Sequence, residues 1–414
     1  MQHGLLRSNT LRAATLVAAQ LLASIGFADS GTTDLPIGDP VRASRQAPVV
    51  LDGITDTATG ELIAPAELAR RLADTRLLFI GEQHTDLDFH RVQLRVIEAL
   101  HEAGREVLIG LEMFPYTDTT QLEQWSRGEL GEAEFVERAG WYKTWSHHWG
   151  YYRDIFHYAQ AKHLPMYGIN VPREVVQTVR TKGWEALDPE ARKHMPPSLD
   201  ISSDEHRRMF RASFSDDDVL HLTSLTEEQR EGMYKAQVTW DGAMGWNAAK
   251  ALEEHGGPKA IMVVLIGSGH VSYGLGSERQ LTPYFKGRIS SLIPVAVRDA
   301  DDKPVASVRA SYANFLWGVP AADGPGLPVL GVSLAGALGK EPTKVIDIDK
   351  RSSAAQAGVK VGDVILALDG TAIASTTDLQ RRTADYRWGD YAKLDIRRDG
   401  APMTLTVPFR RPGR

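Results

Sequence analysis

The 414-residue chain contains no cysteine. This absence excludes a disulfide framework, a thiolate metal site, a cysteine nucleophile and a lipid-modified cysteine that would anchor the protein to a membrane. Basic residues are not in excess either, because the formal net charge is −6. Nucleic acid is therefore not an expected partner, since its phosphates are bound by clustered Lys and Arg.

Long apolar runs are also scarce. The N-terminal segment "AATLVAAQLLASIGFA" is interrupted by Gln20 and is too short for a membrane span. Arg7 and Arg12 precede it and Ala28 stands at a plausible cleavage point, which is the pattern of a secretory signal peptide over residues 1–28. The alternative is an amphipathic N-terminal helix. We expect export to the periplasm as a soluble protein, because no cysteine can carry a lipid anchor.

A chain of this length is expected to form two domains. Hydrophobic residues make up 43% of it, enough for substantial cores. Residues 29–48 are rich in Gly, Pro, Ser, Thr and Asp, which predicts a flexible tether. Residues 318–328 contain three prolines and three glycines, which predicts a linker. The first domain is therefore expected to cover residues 49–317 and the second residues 329–410.

Between the tether and the linker, short β-rich runs alternate with stretches of helical periodicity. The predicted strands are "RLLFIG", "EVLIGLE", "LPMYGIN", "AIMVVLIG" and "SSLIPVAV". Asp86 can cap a helix that Gly104 ends, and the region Lys182–Gly257 is mostly helical in pattern. This alternation predicts an α/β fold, in which a mostly parallel sheet is flanked by helices and carries a largely helical insertion. A small β-rich domain follows.

Polar side chains follow three of the predicted strands. One strand runs into Gly81 and then His84, a second ends in Glu112, and a third runs into Gly267 and then His270. Parallel strands place their carboxyl ends at one edge of a sheet, where such folds bind ligands. Each glycine is expected to allow a sharp turn, often with positive φ, and a close approach of ligand to backbone.

The residue types in this set allow several kinds of chemistry. Imidazole can act as a general base, a metal ligand or a haem ligand. With Glu82 and Glu112, the two histidines could hold a divalent metal or form an acid/base pair. Asn170 ends a fourth strand, where it either joins this pocket or caps the next helix. The alternative for the whole set is a group of hydrogen-bonded turn residues.

The segment Ala139–Tyr158 is dense in Trp, Tyr and His. It could line a pocket for a flat aromatic ligand such as haem, with Tyr152 and the adjacent histidines as candidate contacts to iron. Tyr116, just past Glu112, is another candidate phenolate ligand. The alternative for the segment is a rigid lid or a local hydrophobic cluster. Asp241 stands among apolar residues of a predicted helix, where a carboxylate needs a partner.

The first domain resembles a known family. The motifs are "IGEQHTD", "GLEMF", "HWGYYRDIFHYAQAKHLPMYGINVP", "WDGAM" and "LIGSGHVSYG", and they resemble the ChaN-type haem-binding uptake family of the Tiki/TraB/erythromycin-esterase superfamily. The superfamily's two Gly-x-x-His motifs correspond to Gly81 with His84 and Gly267 with His270, and its intervening glutamate corresponds to Glu112.

This resemblance implies an α/β fold with a pocket at these residues. ChaN-like members bind haem in iron acquisition with a tyrosine ligand, whereas other superfamily members are metal-dependent proteases or macrolide esterases. No motif around the ligating tyrosine can be matched to a numbered position here. Many ChaN-like proteins are lipoproteins, which the absence of cysteine excludes for this chain.

The C-terminal region resembles a bacterial PDZ domain. The match rests on "SSAAQAGVKVGDVILALDG" and on Val329-Leu330-Gly331-Val332, which corresponds to the carboxylate-binding loop, with Thr377–Asp385 as the groove-lining helix. The resemblance implies that a partner's C-terminal or extended peptide adds as a strand to the sheet edge. The alternative is a module that only packs on the first domain.

Three functions follow from the sequence. The first is an exported haem-binding protein of iron or haem uptake, whose PDZ domain docks a peptide of an envelope protein. The second is a metal-dependent hydrolase, a protease or esterase, in which His84, Glu112 and His270 position a divalent metal or activate water and Glu82 is acid or base. The third is a scaffold with a vestigial pocket. A homodimer is a further option that the sequence leaves open.

Overall fold

The computed structural model describes residues 32–213, 226–322, 324–336 and 341–411. The predicted signal peptide, residues 1–28, lies outside the described residues. Within the described ranges, no helix combines the length and the apolar character needed to cross a membrane. Contacts divide the chain into two compact units. The first contains the residues up to His84, Asp88–Phe135 and Ile155–Ala321, and the second contains Thr85–Leu87, Val136–Asp154 and Ala322–Arg414.

A large sheet forms the centre of the first unit. The strands of this unit are β1 (Gln46–Pro48), β2 (Ile54–Asp56), β3 (Glu61–Ile63), β4 (Thr75–Glu82), β5 (Glu106–Pro115), β6 (Met166–Asn170), β7 (Ala260–Gly267), β8 (Arg288–Ala296), β9 (Ser307–Arg309) and β10 (Phe315–Val319). Eight of them pair in the order β3-β2-β10-β8-β4-β7-β5-β6, and β1 pairs separately with β9. The strands from β10 to β6 are parallel to their neighbours, whereas β2 and β3 add an antiparallel edge.

Strand β7 lies inside this parallel array, and each of its eight residues is buried. A continuous apolar run of this kind is typical of a parallel sheet that is covered on both faces. The five strands predicted from the sequence are confirmed, and so is the mostly parallel α/β class.

Helices follow most of the parallel strands. In chain order, the helices before Ala321 are α1 (Pro65–Arg71), α2 (Leu87–Glu102), α3 (Thr119–Ser126), α4 (Glu132–Arg138), α5 (Trp141–Thr144), α6 (Arg153–Ala161), α7 (Arg173–Lys182), α8 (Pro189–Lys193), α9 (Asp204–Ala212), α10 (Glu227–His255) and α11 (Ser277–Leu281), of which α5 lies in the second unit. The helix predicted after Asp86 is α2, and its residues at three- and four-residue steps, Phe89, Val92 and Val96, are buried. The region predicted as a helical insertion, residues 182–257, contains α8, α9 and α10 in its described part.

The longest helix, α10, is buried on most of its faces. It begins with a capping box, in which Thr226 and Gln229 each accept a hydrogen bond from the other's backbone N–H. Buried residues recur along it without a polar stripe, and they include Asp241 and Met244. At Gly242 a Cβ atom would overlap the side chain of Leu199. The glycine therefore permits close packing where the helix passes through the core.

The segment predicted as a tether contributes to this fold in its described part, residues 32–48. Strand β1 pairs with β9, and Ile37 and Ala47 are buried in the main hydrophobic core. Composition did not reveal that this segment packs against the domain. An extended segment that contains Pro and Gly can bury its few apolar residues without a regular pattern.

The second unit contains a small β-rich fold with its own core. Its elements are β11 (Val332–Leu334), β12 (Val345–Ile348), α12 (Ser353–Ala357), β13 (Val364–Leu368), β14 (Thr371–Ala372), α13 (Thr376–Thr383), β15 (Tyr391–Arg398) and β16 (Ala401–Pro408). Strand β11 pairs with β12, and the other strands form an antiparallel sheet in the order β14-β13-β15-β16. Ile365, Leu394 and Val407 are fully buried at the centre. The predicted β-rich C-terminal domain is confirmed.

The segment Val136–Asp154, which holds most of the aromatic-rich stretch, also belongs to the second unit. Within this unit Glu137 forms an ion pair with Arg381 of α13 at 2.5 Å. Trp141 contacts Tyr152 edge to face, with ring centroids 5.3 Å apart, and both rings are fully buried. The segment thus forms a local hydrophobic cluster, and its role as a pocket for a flat ligand stays a prediction.

Candidate functional site

Three of the strands with polar ends are direct neighbours in the sheet. Strand β7 lies between β4 and β5, and all three run in the same direction. Glu82 at the end of β4 pairs in register with Gly267 at the end of β7. The sheet therefore brings Glu82, His84, Glu112 and His270 to one edge, and we call these four residues the strand-end cluster.

The glycines of the two Gly-x-x-His motifs serve the cluster by their small size. Gly267 has a φ of −55°, and Gly81 does not belong to the residues with positive φ. The expectation of a left-handed turn was therefore wrong. A Cβ at Gly81 would lie 2.8 Å from Oγ of Ser268, and one at Gly267 would lie 3.2 Å from Cε1 of His84. These positions need glycine because neighbouring side chains approach the backbone closely.

The first half of the cluster is a carboxylate–imidazole pair. Nδ1 of His84 donates to Oε1 of Glu82 at 2.8 Å. The other carboxylate oxygen accepts from Nε2 of Gln93 at 2.6 Å, and the backbone carbonyl of His84 accepts from Nε2 of His90 at 3.2 Å. The side chain of Glu82 is fully buried, whereas that of His84 is 16% exposed. The buried carboxylate thus fixes the imidazole through Nδ1, and part of the His84 side chain is exposed to solvent.

The second half repeats this arrangement around His270. Nδ1 of His270 donates to Oδ1 of Asp241 at 2.7 Å, and Asp241 is fully buried on α10 while the His270 side chain is 13% exposed. Nε2 of His270 lies 3.5 Å from Oε1 of Glu112. The other oxygen of Glu112 accepts from the backbone N–H of Gly267 at 2.5 Å. Glu112 is thereby fixed at the end of β7, beside both glycine motifs.

Asp241 has further partners on helices α9 and α10. Nε2 of Gln237 donates to its Oδ1 at 3.3 Å. Nε2 of His206 lies 3.2 Å from its Oδ2, without the alignment of a hydrogen bond. Nδ1 of His206 in turn lies 3.0 Å from the hydroxyl of Tyr234. The partner that the sequence required for Asp241 is therefore a pair of histidines, one of them in the cluster.

The carboxylates control the protonation of both cluster histidines. Burial lowers the pKa of His84, but the hydrogen bond to Glu82 and the charges of Glu112 and Glu82 outweigh it, so that the pKa is raised. Burial also lowers the pKa of His270, but hydrogen bonds to Asp241 and Glu112 raise it to about 10. Burial raises the pKa of Asp241, and its two histidine partners reverse the shift. The carboxylates therefore favour the protonated form of both cluster imidazoles.

The other predicted site residues have different surroundings. Asn170 lies next to the cluster, where its Nδ2 donates to the carbonyl of Glu112 at 3.0 Å and its Oδ1 accepts from the N–H of Val171 at 2.8 Å. The ring of Tyr116 stacks on His194 with centroids 3.4 Å apart. Tyr152 lies in the second unit, fully buried against Trp141. The roles of these residues in ligand binding stay predictions.

The loop predicted to bind a peptide carboxylate precedes β11 in the second unit. Leu330 is buried in the core of this unit, Val329 is exposed, and Val332 begins the strand. Gly331 has a φ of +76°, and a Cβ there would overlap Ser352. Gly331 therefore has a left-handed backbone conformation, which favours glycine over other residues.

Sequence reasoning did not find Gln93, His90, Gln237 and His206. Gln93 carried a usable signal, because it stands four residues after Phe89 and three before Val96, on the apolar face of α2. A polar side chain at such a position needs a buried partner, here Glu82. His206 carried no such signal, since its partner Asp241 is distant in the chain.

Metal binding was one of the predicted alternatives for the cluster. Across the described ranges, no group of three or more His, Asp or Glu side chains has an arrangement that could hold a metal ion.

Comparison with protein families assigns both parts of the chain. The model of the family "Haem-binding uptake, Tiki superfamily, ChaN" matches residues 68–281, just over half of the chain. The chain belongs to this family. A PDZ-domain model matches residues 328–409. Both resemblances stated from the sequence are confirmed, and the chain is a ChaN-like haem-binding family member that carries a C-terminal PDZ domain. No curated protein sequence matches it.

The chain is also similar to solved structures of other proteins. A structure titled "Cofacial heme binding to ChaN of Campylobacter jejuni" is 16% identical, with a TM-score of 0.48 over 64% of this chain and 95% of that one. A mutant of the erythromycin esterase EreC in its open conformation is 11% identical, with a TM-score of 0.39 over 67% and 98%. The HtrA-type protease AlgW with a decapeptide is 24% identical, with a TM-score of 0.19 over 21% and 31%.

Proposed function

We propose that the protein is exported through its N-terminal signal peptide and binds haem at the strand-end cluster, in the service of iron or haem uptake. Family membership supports haem as the ligand. The observation that carries the proposal is the convergence of His84 and His270 on Glu112 at three adjacent strand ends, with a buried carboxylate behind each imidazole.

The donor set of the cluster fits haem iron. Histidines that ligate iron or other metals commonly donate their Nδ1–H to a carboxylate, which fixes the ring and presents Nε2. Glu82 and Asp241 do this for His84 and His270. Both imidazoles are slightly exposed, whereas the carboxylates of Glu82 and Asp241 are fully buried. A ligand that comes from solvent therefore meets the imidazole of each pair and not its carboxylate.

The surroundings of the cluster also suit a flat aromatic ligand. The ring of Trp240 stands edge to face with His270, with centroids 6.5 Å apart. Gly267 lets the ring of His84 lie close to the backbone, since a Cβ there would lie 3.2 Å from Cε1 of His84. His84 and His270 would hold haem, Glu112 would lie between them, and Asn170 would keep Glu112 in place through its backbone carbonyl. Haem bound there would be iron-containing cargo for uptake.

We further propose that the PDZ domain docks the C-terminal or extended peptide of an envelope protein. Two contacts fix its binding loop, because the carbonyls of Leu330 and Gly331 accept from the N–H groups of Ala354 at 2.9 Å and Asp349 at 3.1 Å. Within the described part of the second unit, the N–H groups of Leu330 and Gly331 donate no hydrogen bond. Such N–H groups are what captures a terminal carboxylate.

Titration of the purified protein with hemin, followed at the Soret band, tests the haem proposal. We expect a saturable shift at about one equivalent, and a loss of affinity of at least tenfold in a His84→Ala/His270→Ala double variant. His255→Ala, at an exposed histidine of α10, is the matched control. Tyr116→Phe and Tyr152→Phe test the phenolate candidates. A flat response, or equal affinity in the double variant, would overturn the proposal.

A selection from a library of C-terminal peptides tests the docking proposal. The selected peptide is expected to bind, and its C-terminally amidated form is expected to bind at least tenfold more weakly, because the amide cannot replace the carboxylate at the loop N–H groups. Equal binding of both forms would contradict carboxylate capture.

A second candidate function is hydrolysis of an ester or peptide. It is favoured by one observation, the two carboxylate–imidazole pairs, since a buried carboxylate on Nδ1 is also how a catalytic histidine is oriented. His84, Glu112 and His270 would be the catalytic residues and Glu82 an acid or base. A screen of ester and peptide substrates tests it: turnover that disappears in the double variant would support hydrolysis, and no turnover would reject it.

A further inference from the structure

A cavity of about 410 Å³ lies in the first unit. It is lined by the segment Gly38–Arg42, by α11 with the turn before it, and by residues around the start of β10. None of the four cluster residues lines it. Its volume is in the range of small-molecule sites in proteins, roughly 300 to 1,000 Å³. The cavity is therefore a second place where the protein can take up a ligand.

One carboxylate in this cavity has no partner. Glu278 on α11 is half-buried, and among the described residues no side chain or backbone group donates a hydrogen bond to its carboxylate. Gly274 leaves room for this carboxylate, because a Cβ there would lie 3.1 Å from Oε2 of Glu278. Burial raises the pKa of Glu278 to about 7, although the nearby Arg42 works against the shift. An ionised carboxylate in this position is thus short of a cationic partner.

The other charged groups at the cavity already have partners. Arg42 forms an ion pair with Asp39 at 2.9 Å. Arg279 pairs with Asp200 and donates to the carbonyl of Leu275. Glu205 accepts from the N–H of Gly38 at 3.3 Å. The charge left without a counter-charge inside the cavity is therefore negative.

The cavity also offers two free hydrogen-bond donors. Arg42 uses Nε and Nη1 on Asp39, Thr57 and the carbonyl of Ala313, which leaves Nη2 without a partner among the described residues. Asn314 uses its Oδ1 to accept from Ser291, and its Nδ2 has no acceptor within the described ranges. A ligand that matches this lining carries both a cation and an oxygen acceptor.

We propose that this cavity binds a small polar amine, whose ammonium group pairs with Glu278 and whose oxygen atoms accept hydrogen bonds from Arg42 and Asn314. An ammonium group supplies three N–H donors and a positive charge, which are what the Glu278 carboxylate lacks. This proposal does not rest on haem binding at the cluster, because none of the cluster residues lines the cavity.

Isothermal titration calorimetry of the purified protein at pH 8 tests this proposal. The probes are ethanolamine, L-serine and glucosamine, each beside its N-acetylated form, which keeps the oxygen atoms and loses the charge. We expect saturable one-site binding of at least one amine, and at least tenfold weaker binding of its acetylated form. Binding of none of the three amines, or equal binding of the acetylated form, would overturn the proposal.

A Glu278→Gln variant assigns the binding to this carboxylate. The variant is expected to fold, because the carboxylate makes no hydrogen bond, and to bind the amine at least tenfold more weakly. Glu253→Gln, at an exposed residue of α10, is the matched control and is expected to bind as the parent does. The parent's affinity is expected to fall between pH 8 and pH 6 as Glu278 takes up a proton, and this dependence is expected to vanish in Glu278→Gln. Unchanged affinity in Glu278→Gln would place the amine elsewhere.

Discussion

Asp241 and His270 are 29 residues apart in the chain, and Oδ1 of the first lies 2.7 Å from Nδ1 of the second. Asp241 is fully buried on the long helix α10, whereas His270 follows the end of strand β7. The packing of α10 in the core therefore determines how one of the two cluster histidines is held. Orientation of the candidate site and stability of the fold depend on the same contact.

The first prediction concerns Asp241→Asn. The variant removes the buried charge that His270 and His206 share as a partner, so we expect a loss of about 3 to 5 kcal/mol in the free energy of unfolding. Hemin affinity is expected to fall about 10- to 100-fold, as it does when a carboxylate behind a ligating histidine is removed. Urea unfolding and Soret titration measure the two effects.

The control for this prediction is Asp74→Asn, at an exposed residue before β4. It is expected to change the free energy of unfolding by no more than about 0.5 kcal/mol. A folded Asp241→Asn protein with parental hemin affinity would show that Asp241 does not orient His270 for binding.

The second prediction concerns the protonation of His84 in a Glu82→Gln variant. Burial lowers the pKa of His84, and it is raised overall only because of Glu82 and Glu112. Without the Glu82 charge, the pKa is expected to fall relative to that of the parent protein. NMR titration of the histidine ring protons measures it, with Glu102→Gln at an exposed position of α2 as the control. An unchanged pKa would assign the shift to Glu112 alone.

The sequence was sufficient to predict which strand ends carry chemistry. His84, Glu112 and His270 each follow a strong apolar run, and residues at the ends of parallel strands necessarily share an edge of the sheet. The sequence was not sufficient to predict that β7 lies between β4 and β5, because strand order depends on packing between segments that are distant in the chain.

Partners contributed by helices were harder to predict. His206 and Asp241 meet only because α9 packs against α10, and no local pattern records this. The aromatic density around Trp141 and Tyr152 was a true signal of burial, but density alone does not distinguish a ligand pocket from a self-contained cluster. The roles of the glycines were misjudged for a similar reason, since the atoms that approach Gly81 and Gly267 come from other strands and loops.

The third prediction is a pH dependence of stability that comes from His270. Its pKa in the folded protein is raised to about 10, above the ordinary value of 6.5. Between these values the folded state holds a proton that the unfolded state has lost, so stability falls as pH rises from about 6.5 to about 10. The contribution is fully present below pH 6.5. Urea midpoints measured at pH 6, 8 and 10 are expected to decrease, and His270→Gln is expected to flatten this decrease.

The fourth prediction concerns Gly331→Ala in the PDZ domain. The residue has a φ of +76°, and an added Cβ would overlap Ser352. The strain is expected to cost about 1 to 3 kcal/mol and to weaken binding of the selected C-terminal peptide. Thermal unfolding and peptide titration measure both effects. Val329→Ala, at the exposed neighbouring position, is expected to leave the melting temperature nearly unchanged. Equal stability of the two variants would mean that the loop relaxes to accept a side chain.

The fifth prediction separates the shape of the strand-end cluster from its charges. Gly267→Ala adds one methyl group 3.2 Å from Cε1 of His84 and 3.5 Å from Oε2 of Glu112, without removing any polar group. His84 has to move by a few tenths of an ångström, so we expect hemin affinity to fall while the cluster keeps all its ionisable groups. Gly131→Ala is the matched control, because nothing lies within 4 Å of its Cβ position. If both variants bind hemin like the parent, the ligand does not depend on the spacing of His84 and Glu112, and binding at this edge of the sheet would be rejected.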